Sequence, residues 1–131
     1  MSLTPGTTHE ITRTVTADVT ADALGNTGVM VFATPCVLAL VENACNGMVQ
    51  PHLTAGAATV GTSVELKHLG ATPLGMTVRA RATLTETDGR RYLFSVEVWD
   101  EKEKVAEAKH ERFVVNDLAK FLERAMKKLG G

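Results

Sequence analysis

The chain has 131 residues, and we read residues 1–131 as one domain. With 44% hydrophobic and 22% charged residues it has an ordinary globular composition, and a chain of this length buries about two thirds of its unfolded surface, enough for a core without metal or disulfide support. Fourteen Lys and Arg against fifteen Asp and Glu leave no basic surplus for a phosphate backbone, which argues against a nucleic-acid partner. Residues 1–20 lack the basic start and apolar run of a secretion signal, and no run of about 20 apolar residues spans a membrane, so a cytoplasmic protein without a membrane partner is expected.

In chain order, residues 7–19 are rich in Thr and Val and read as a first strand; residues 20–31 are small and Gly-bearing and read as a loop with a short helical turn. Thr34 and Pro35 then open a helix, Thr34 as N-cap and Pro35 at the first helical position. Residues 36–49 are apolar on almost every face, the mark of a buried helix; Gly47 loosens its last turn and Pro51 lies just past its end. Cys36 and Cys45 both fall in this helix, about 13 Å apart at 1.5 Å per residue, beyond the reach of a disulfide, so free thiols are expected.

Four strands follow. Residues 60–68 alternate with Val60, Thr62, Val64, Leu66 and His68 on one face. Residues 78–84 alternate in the same way, Asp88-Gly89 marks a hairpin, and strands are read at 92–100 and 105–115. Asn116 or Asp117 then caps an amphipathic helix over 118–129 with a basic end. A strand, a buried helix, a meander of four antiparallel strands and a terminal helix make an α+β layout. This is the layout of the hotdog fold: a five-stranded antiparallel sheet wrapped around a central helix.

Several residues suit chemistry as well as structure. Glu42 is the one charge in the apolar helix; it either points to solvent or pairs with a Lys or Arg, or it is a desolvated carboxylate of raised pKa. His68 continues an apolar strand face, as a core-edge histidine or as an acid–base group near neutral pH. Thr34 serves as the helix cap, or as part of a helix N-terminus that receives an acyl carbonyl. Gly61 is either a bulge or a close approach for a ligand. His110 and Arg112 share the small-residue face of the last strand with Ala106 and Ala108; Arg112 forms an ion pair or grips a carbonyl or carboxylate. Nothing near Cys36 or Cys45 makes a thiolate, and no metal-ligand spacing is present.

The segments Val31-Phe32-Ala33-Thr34, Glu42, Val60-Gly61-Thr62, His68, Ala71-Thr72-Pro73 with Gly75, and His110-Glu111-Arg112 together resemble the fluoroacetyl-CoA thioesterase family of hotdog proteins, over residues 31–115. The resemblance implies a hydrolase for a short-chain acyl-CoA thioester with Thr34, Glu42 and His68 catalytic. It places substrate contacts at Gly61, through its N–H, and at Arg112. It also implies no cofactor beyond the CoA of the substrate, and a homodimer, or a tetramer built from it, with active sites near the subunit interface. A non-catalytic acyl-CoA or small-acid binder on the same scaffold is the competing expectation. Residues 24–30 lack the aromatic lid of the fluoroacetyl-specific enzyme, so a different short acyl group is expected. Lys67, Arg79, Arg81, Arg90 and Arg91 are the basic side chains available to CoA or to solvent.

Overall fold

The structure, a computed structural model, describes residues 3–130. Its regular elements are β1 (Thr8–Thr14), α1 (Thr34–Val49), β2 (Ala58–His68), β3 (Thr77–Thr87), β4 (Arg91–Trp99), β5 (Lys104–Val115) and α2 (Leu118–Met126). All strand pairs are antiparallel, in one five-stranded sheet of order β1-β3-β4-β5-β2. The expected meander therefore holds for β3, β4 and β5 only. β2 crosses over to pair with β5, which leaves β1 and β2 as the edges. Alternation tells which face of a strand is buried; it does not tell which neighbour the strand chooses.

The concave face carries Val78, Ala80, Ala82 and Leu84 of β3, Phe94, Val96 and Val98 of β4, and Ala106 and Ala108 of β5. The alanines in the middle of that face let α1 lie close, and Val37, Leu40, Val41, Ala44, Cys45, Met48 and Val49 fill the layer between. α1 is not buried all round as its composition suggests: Pro35, Ala39 and Asn43, spaced four apart, form an exposed stripe along it. Nor does Thr34 cap it. Ala33 is the N-cap, with extended backbone and no side-chain cap bond, and Thr34 is the first helical residue. Gly47 does not loosen the last turn, which is regular to Val49; a Cβ there would stand 2.8 Å from Nε2 of His9, so the glycine makes room for that ring of β1. A 3-10 turn over Gln50–His52, containing Pro51, follows directly.

The first strand stops at Thr14, not at residue 19. Thr14 pairs with Thr77, the first residue of β3, so the ladder has no partner beyond that point, whatever the β-propensity of the threonines. The chain then turns through 3-10 segments at Ala17–Val19 and Asp22–Leu24 and returns so that Thr20 bridges Phe32 and Val31 bridges Pro73.

β2 departs from its expected phase. Gly61 pairs with Arg112 but Ser63 pairs with Glu111, so Thr62 is an extra residue in a bulge, its hydroxyl donating to the carbonyl and carboxylate of Glu111. One inserted residue reverses the alternation. Val64, Leu66 and His68 turn inward as expected, but before the bulge Thr59 and Gly61 face the helix instead of Val60 and Thr62. At the C-terminus Asp117 caps α2 by accepting from the Lys120 N–H, and the helix passes into a 3-10 turn over Lys127–Gly130. Every residue from 119 to 130 is exposed. No helix among the described residues is long and apolar enough to cross a membrane.

Candidate functional site

The residues singled out from sequence gather in two places. At the start of α1, the hydroxyl of Thr34 lies 2.7 Å from Nδ1 of His68, which the end of β2 carries. Because Thr34 is not the N-cap, its side chain does not close on its own helix and is available to the ring. The hydroxyl can donate to an unprotonated Nδ1 or accept from a protonated one, so the pair holds together in either tautomer of the ring. Nε2 is buried and has no hydrogen-bond partner among the described residues. Burial also pushes the imidazole below its ordinary pKa, favouring the neutral form that accepts a proton. The pair opens on a cavity of about 340 Å³ walled by Asn26, Val29 and Val31 on one side and Leu69 to Ala71 on the other. Phe32 borders it but is 1% exposed and belongs to the core, so no aromatic ring among the described residues covers the mouth.

The second cluster lies along α1 at Glu42. Eight residues of helix separate it from Thr34, about 12 Å along the axis. Glu42 is not an isolated buried carboxylate: its Oε2 takes a bond of 3.3 Å from Nη1 of Arg112, and its side chain is 38% exposed. The Arg112 side chain is 9% exposed and held at all three guanidinium nitrogens. Nε donates to the Thr59 hydroxyl at 2.8 Å, Nη2 to the Thr59 carbonyl at 3.0 Å, and Nη1 also to Nε2 of His110 at 3.2 Å. Since Arg112 can only donate there, His110 carries its proton on Nδ1, which donates to the carbonyl of Ser63 at 2.8 Å. The Thr59 hydroxyl in turn donates to Asn46 Oδ1 at 2.6 Å. Arg112 thus orients Glu42 in this chain, beside a small cavity that Ala39, Asn43 and Asn46 also line. Gly61 faces the same carboxylate: a Cβ on it would stand 2.7 Å from Oε2.

Thr59 and Asn46 were not among the residues expected from sequence. Asn46 follows Glu42 by one helical turn, a signal that was present; Thr59 was hidden because the bulge reverses its face. Cys45 is buried and its thiol is pushed up to about 12 by burial, which leaves it inert. Of the basic residues available to CoA, Arg79 and Arg81 lie over Trp99 and against Glu10, and Arg91 bonds Glu111.

Residues 15–118 match the family model described as fluoroacetyl-CoA-specific thioesterase. A fluoroacetyl-CoA thioesterase of Streptantibioticus cattleyicolor is 37% identical over 91 residues, 70% of this chain; the match spans 65% of that protein's length, just under two thirds. A substituted form of the fluoroacetyl-CoA protein FlK, solved in complex with acetyl-CoA, superposes with a TM-score of 0.91 at 29% identity, covering 96% of this chain and 98% of that one. A hot-dog-like protein from Thermanaerovibrio acidaminovorans shares the fold, with a TM-score of 0.87 at 23% identity over 97% of this chain and 93% of that one.

Proposed function

Because the chain belongs to the fluoroacetyl-CoA-specific thioesterase family, we propose that it hydrolyses a short-chain acyl-CoA to the free acid and CoA, as a homodimer in which each active site is shared between two chains. The observation that carries this reading is the split of the polar residues into Thr34 with His68 and Glu42 with Gly61 and Arg112, about 12 Å apart on one helix. A second chain placed by a two-fold axis beside the exposed Pro35–Ala39–Asn43 stripe, with its own α1 antiparallel and centred near Ala39, brings its Glu42 beside the first chain's Thr34.

Hydrolysis breaks the C–S bond and adds the oxygen of water to the acyl carbon. The thioester carbonyl sits at the α1 N-terminus of one chain, with the Gly61 N–H of the other chain as its oxyanion donor; one such donor is typically worth about 3 kcal/mol. The other chain's Glu42, aimed by its Arg112, takes a proton from the attacking water. Thr34, bonded to His68, holds the imidazole at the reacting centre, and the proton that Glu42 takes from water passes through the neutral ring to the departing CoA thiolate, so that an O–H and a C–S bond give way to a C–O and an S–H bond. The acyl chamber beside Val29 and Asn26 has no aromatic wall of its own, which favours a small acyl group other than fluoroacetyl.

Thiol release from a panel of short acyl-CoAs, fluoroacetyl-CoA included, tests the reading with wild type and His68→Ala side by side. Release from at least one member that collapses in the variant supports it and names the substrate. Saturable acyl-CoA binding without release from any member replaces it with a binding module.

A further inference from the structure

Among the described residues, the large apolar side chains left exposed fall into two groups. Val29 and Leu69 line the Thr34–His68 cavity, and Leu24, Met30 and Leu74 lie close to them in the chain, Met30 and Leu74 joined by the bond from the Leu74 N–H to the Met30 carbonyl beside the Val31–Pro73 bridge. Phe121, Leu122, Met126 and Leu129 form one side of α2 and its 3-10 extension, at the i, i+1, i+5 and i+8 positions of a single stripe. The first group lies at the His68 end of β2. The second starts at its other end, where the Leu118 N–H bonds the Gly56 carbonyl beside Ala58. Some ten strand steps, about 33 Å, separate the two.

A helix of this length is marginal in water when nothing packs on it, yet α2 presents all its residues beyond Leu118 to solvent. β2 is an eleven-residue edge strand with one row of ladder groups unpaired. Joining two β2 edges antiparallel about a two-fold axis sets the start of each against the end of the other. Each α2 then meets the other chain's cavity rim, and the two contacts are equivalent, as an isologous interface requires.

We propose that the apolar stripe of α2 docks on the cavity rim of a second copy of this chain and supplies the outer wall of that copy's acyl chamber, Phe121 being the aromatic side chain that the local loop lacks. The proposal rests on the homodimer of the preceding section and adds α2 to the shared site. The basic residues Arg124 and Lys128, on the neighbouring side of α2 from Phe121, would then stand at the chamber mouth, where the phosphates of CoA pass.

Disulfide trapping tests it without substrate. In a Cys36→Ala background, Leu122→Cys combined with Leu69→Cys or Leu74→Cys is expected to give a covalent dimer on mild oxidation, read by non-reducing mass spectrometry. Leu122→Cys with Thr12→Cys, on the far edge, is expected to give none. A chain ending at Asn116 should keep its sheet spectrum while its dimer dissociation constant and its KM for acyl-CoA both rise roughly tenfold or more. Absence of the cross-link from both rim positions overturns the proposal, as does a truncated chain with unchanged dimerisation and KM. Co-sedimentation of wild type with phosphatidylserine vesicles in place of cross-linking overturns it too, and assigns α2 to a membrane surface. Thiol release by wild type is read separately, so failure of the docking leaves the thioesterase reading standing, and failure of hydrolysis leaves the docking standing.

Discussion

The carboxylate of Glu42 occupies the space that a side chain at Gly61 would need, with Oε2 2.7 Å from where a Cβ would lie. The obstructed atom is the end of a flexible side chain, not backbone, so Gly61→Ala is expected to displace the carboxylate and leave the fold in place. Stability should change by no more than about 1 kcal/mol. Turnover should fall roughly 100-fold, the usual effect of moving a catalytic group by about an ångström. Thermal melting and kcat measured on the same preparation check this. A variant as active as wild type means that the position of Glu42 does not matter to the reaction.

Thr34 offers a cleaner separation of structure from chemistry. A capping threonine replaced by an apolar residue costs about 1 kcal/mol of helix stability. Since Ala33 holds the cap position and the Thr34 hydroxyl bonds His68, Thr34→Val should leave the melting temperature nearly unchanged. Turnover should fall by about 10²- to 10⁴-fold, and Thr34→Ser, which keeps the hydroxyl, should retain most of it. A large loss of stability in the valine variant would show that the residue caps the helix after all.

Burial lowers the pKa of both His68 and His110 from the ordinary value of 6.5, at His110 with the added repulsion of Arg112. The folded protein therefore takes up protons at lower pH than the unfolded chain. The stability these rings contribute is fully present above 6.5 and is lost as the pH falls through their lowered folded values. The acid limb of kcat/KM should likewise have its midpoint below 6.5, because the relay through His68 runs on the neutral ring that burial favours. Melting temperature and kcat/KM followed between about pH 5 and 8 give both curves. A limb centred above 6.5, or stability that rises as the pH drops, contradicts a desolvated neutral His68.

How much of this was legible in the sequence depends on the kind of signal. Burial phase was readable wherever alternation ran unbroken, as in the Ala106, Ala108, His110, Arg112 face of β5, and it placed Arg112 inward correctly. It failed at β2 because the bulge that Gly61 offered as one of its two readings was not carried into the alternation: the extra residue, Thr62, turns Thr59 inward to hold Arg112. Thr34 and His68 were both identifiable from their elements. That one bonds the other was not, because β2 pairs with β5 instead of β3, a long-range choice that local propensity does not encode. Glu42 looked costly only while its partner, seventy residues away, was unseen. The exposed stripe on α1 was missed for a related reason: small residues such as Ala39 read as core until a surface is found that they do not cover.

That stripe leads to the last prediction. If each site takes Thr34 and His68 from one chain and Glu42 from the other, two inactive variants should rescue each other. A dimer of one Glu42→Gln chain and one His68→Ala chain contains one site with both defects and one with neither. Statistical mixing makes about half of the dimers mixed, so the mixture should recover about a quarter of wild-type turnover, while each variant alone stays near background. Activity should appear at the rate of subunit exchange and be lost on separating the variants again. If all three residues act within one chain, every site in the mixture carries a defect and no activity returns, however fully the chains exchange.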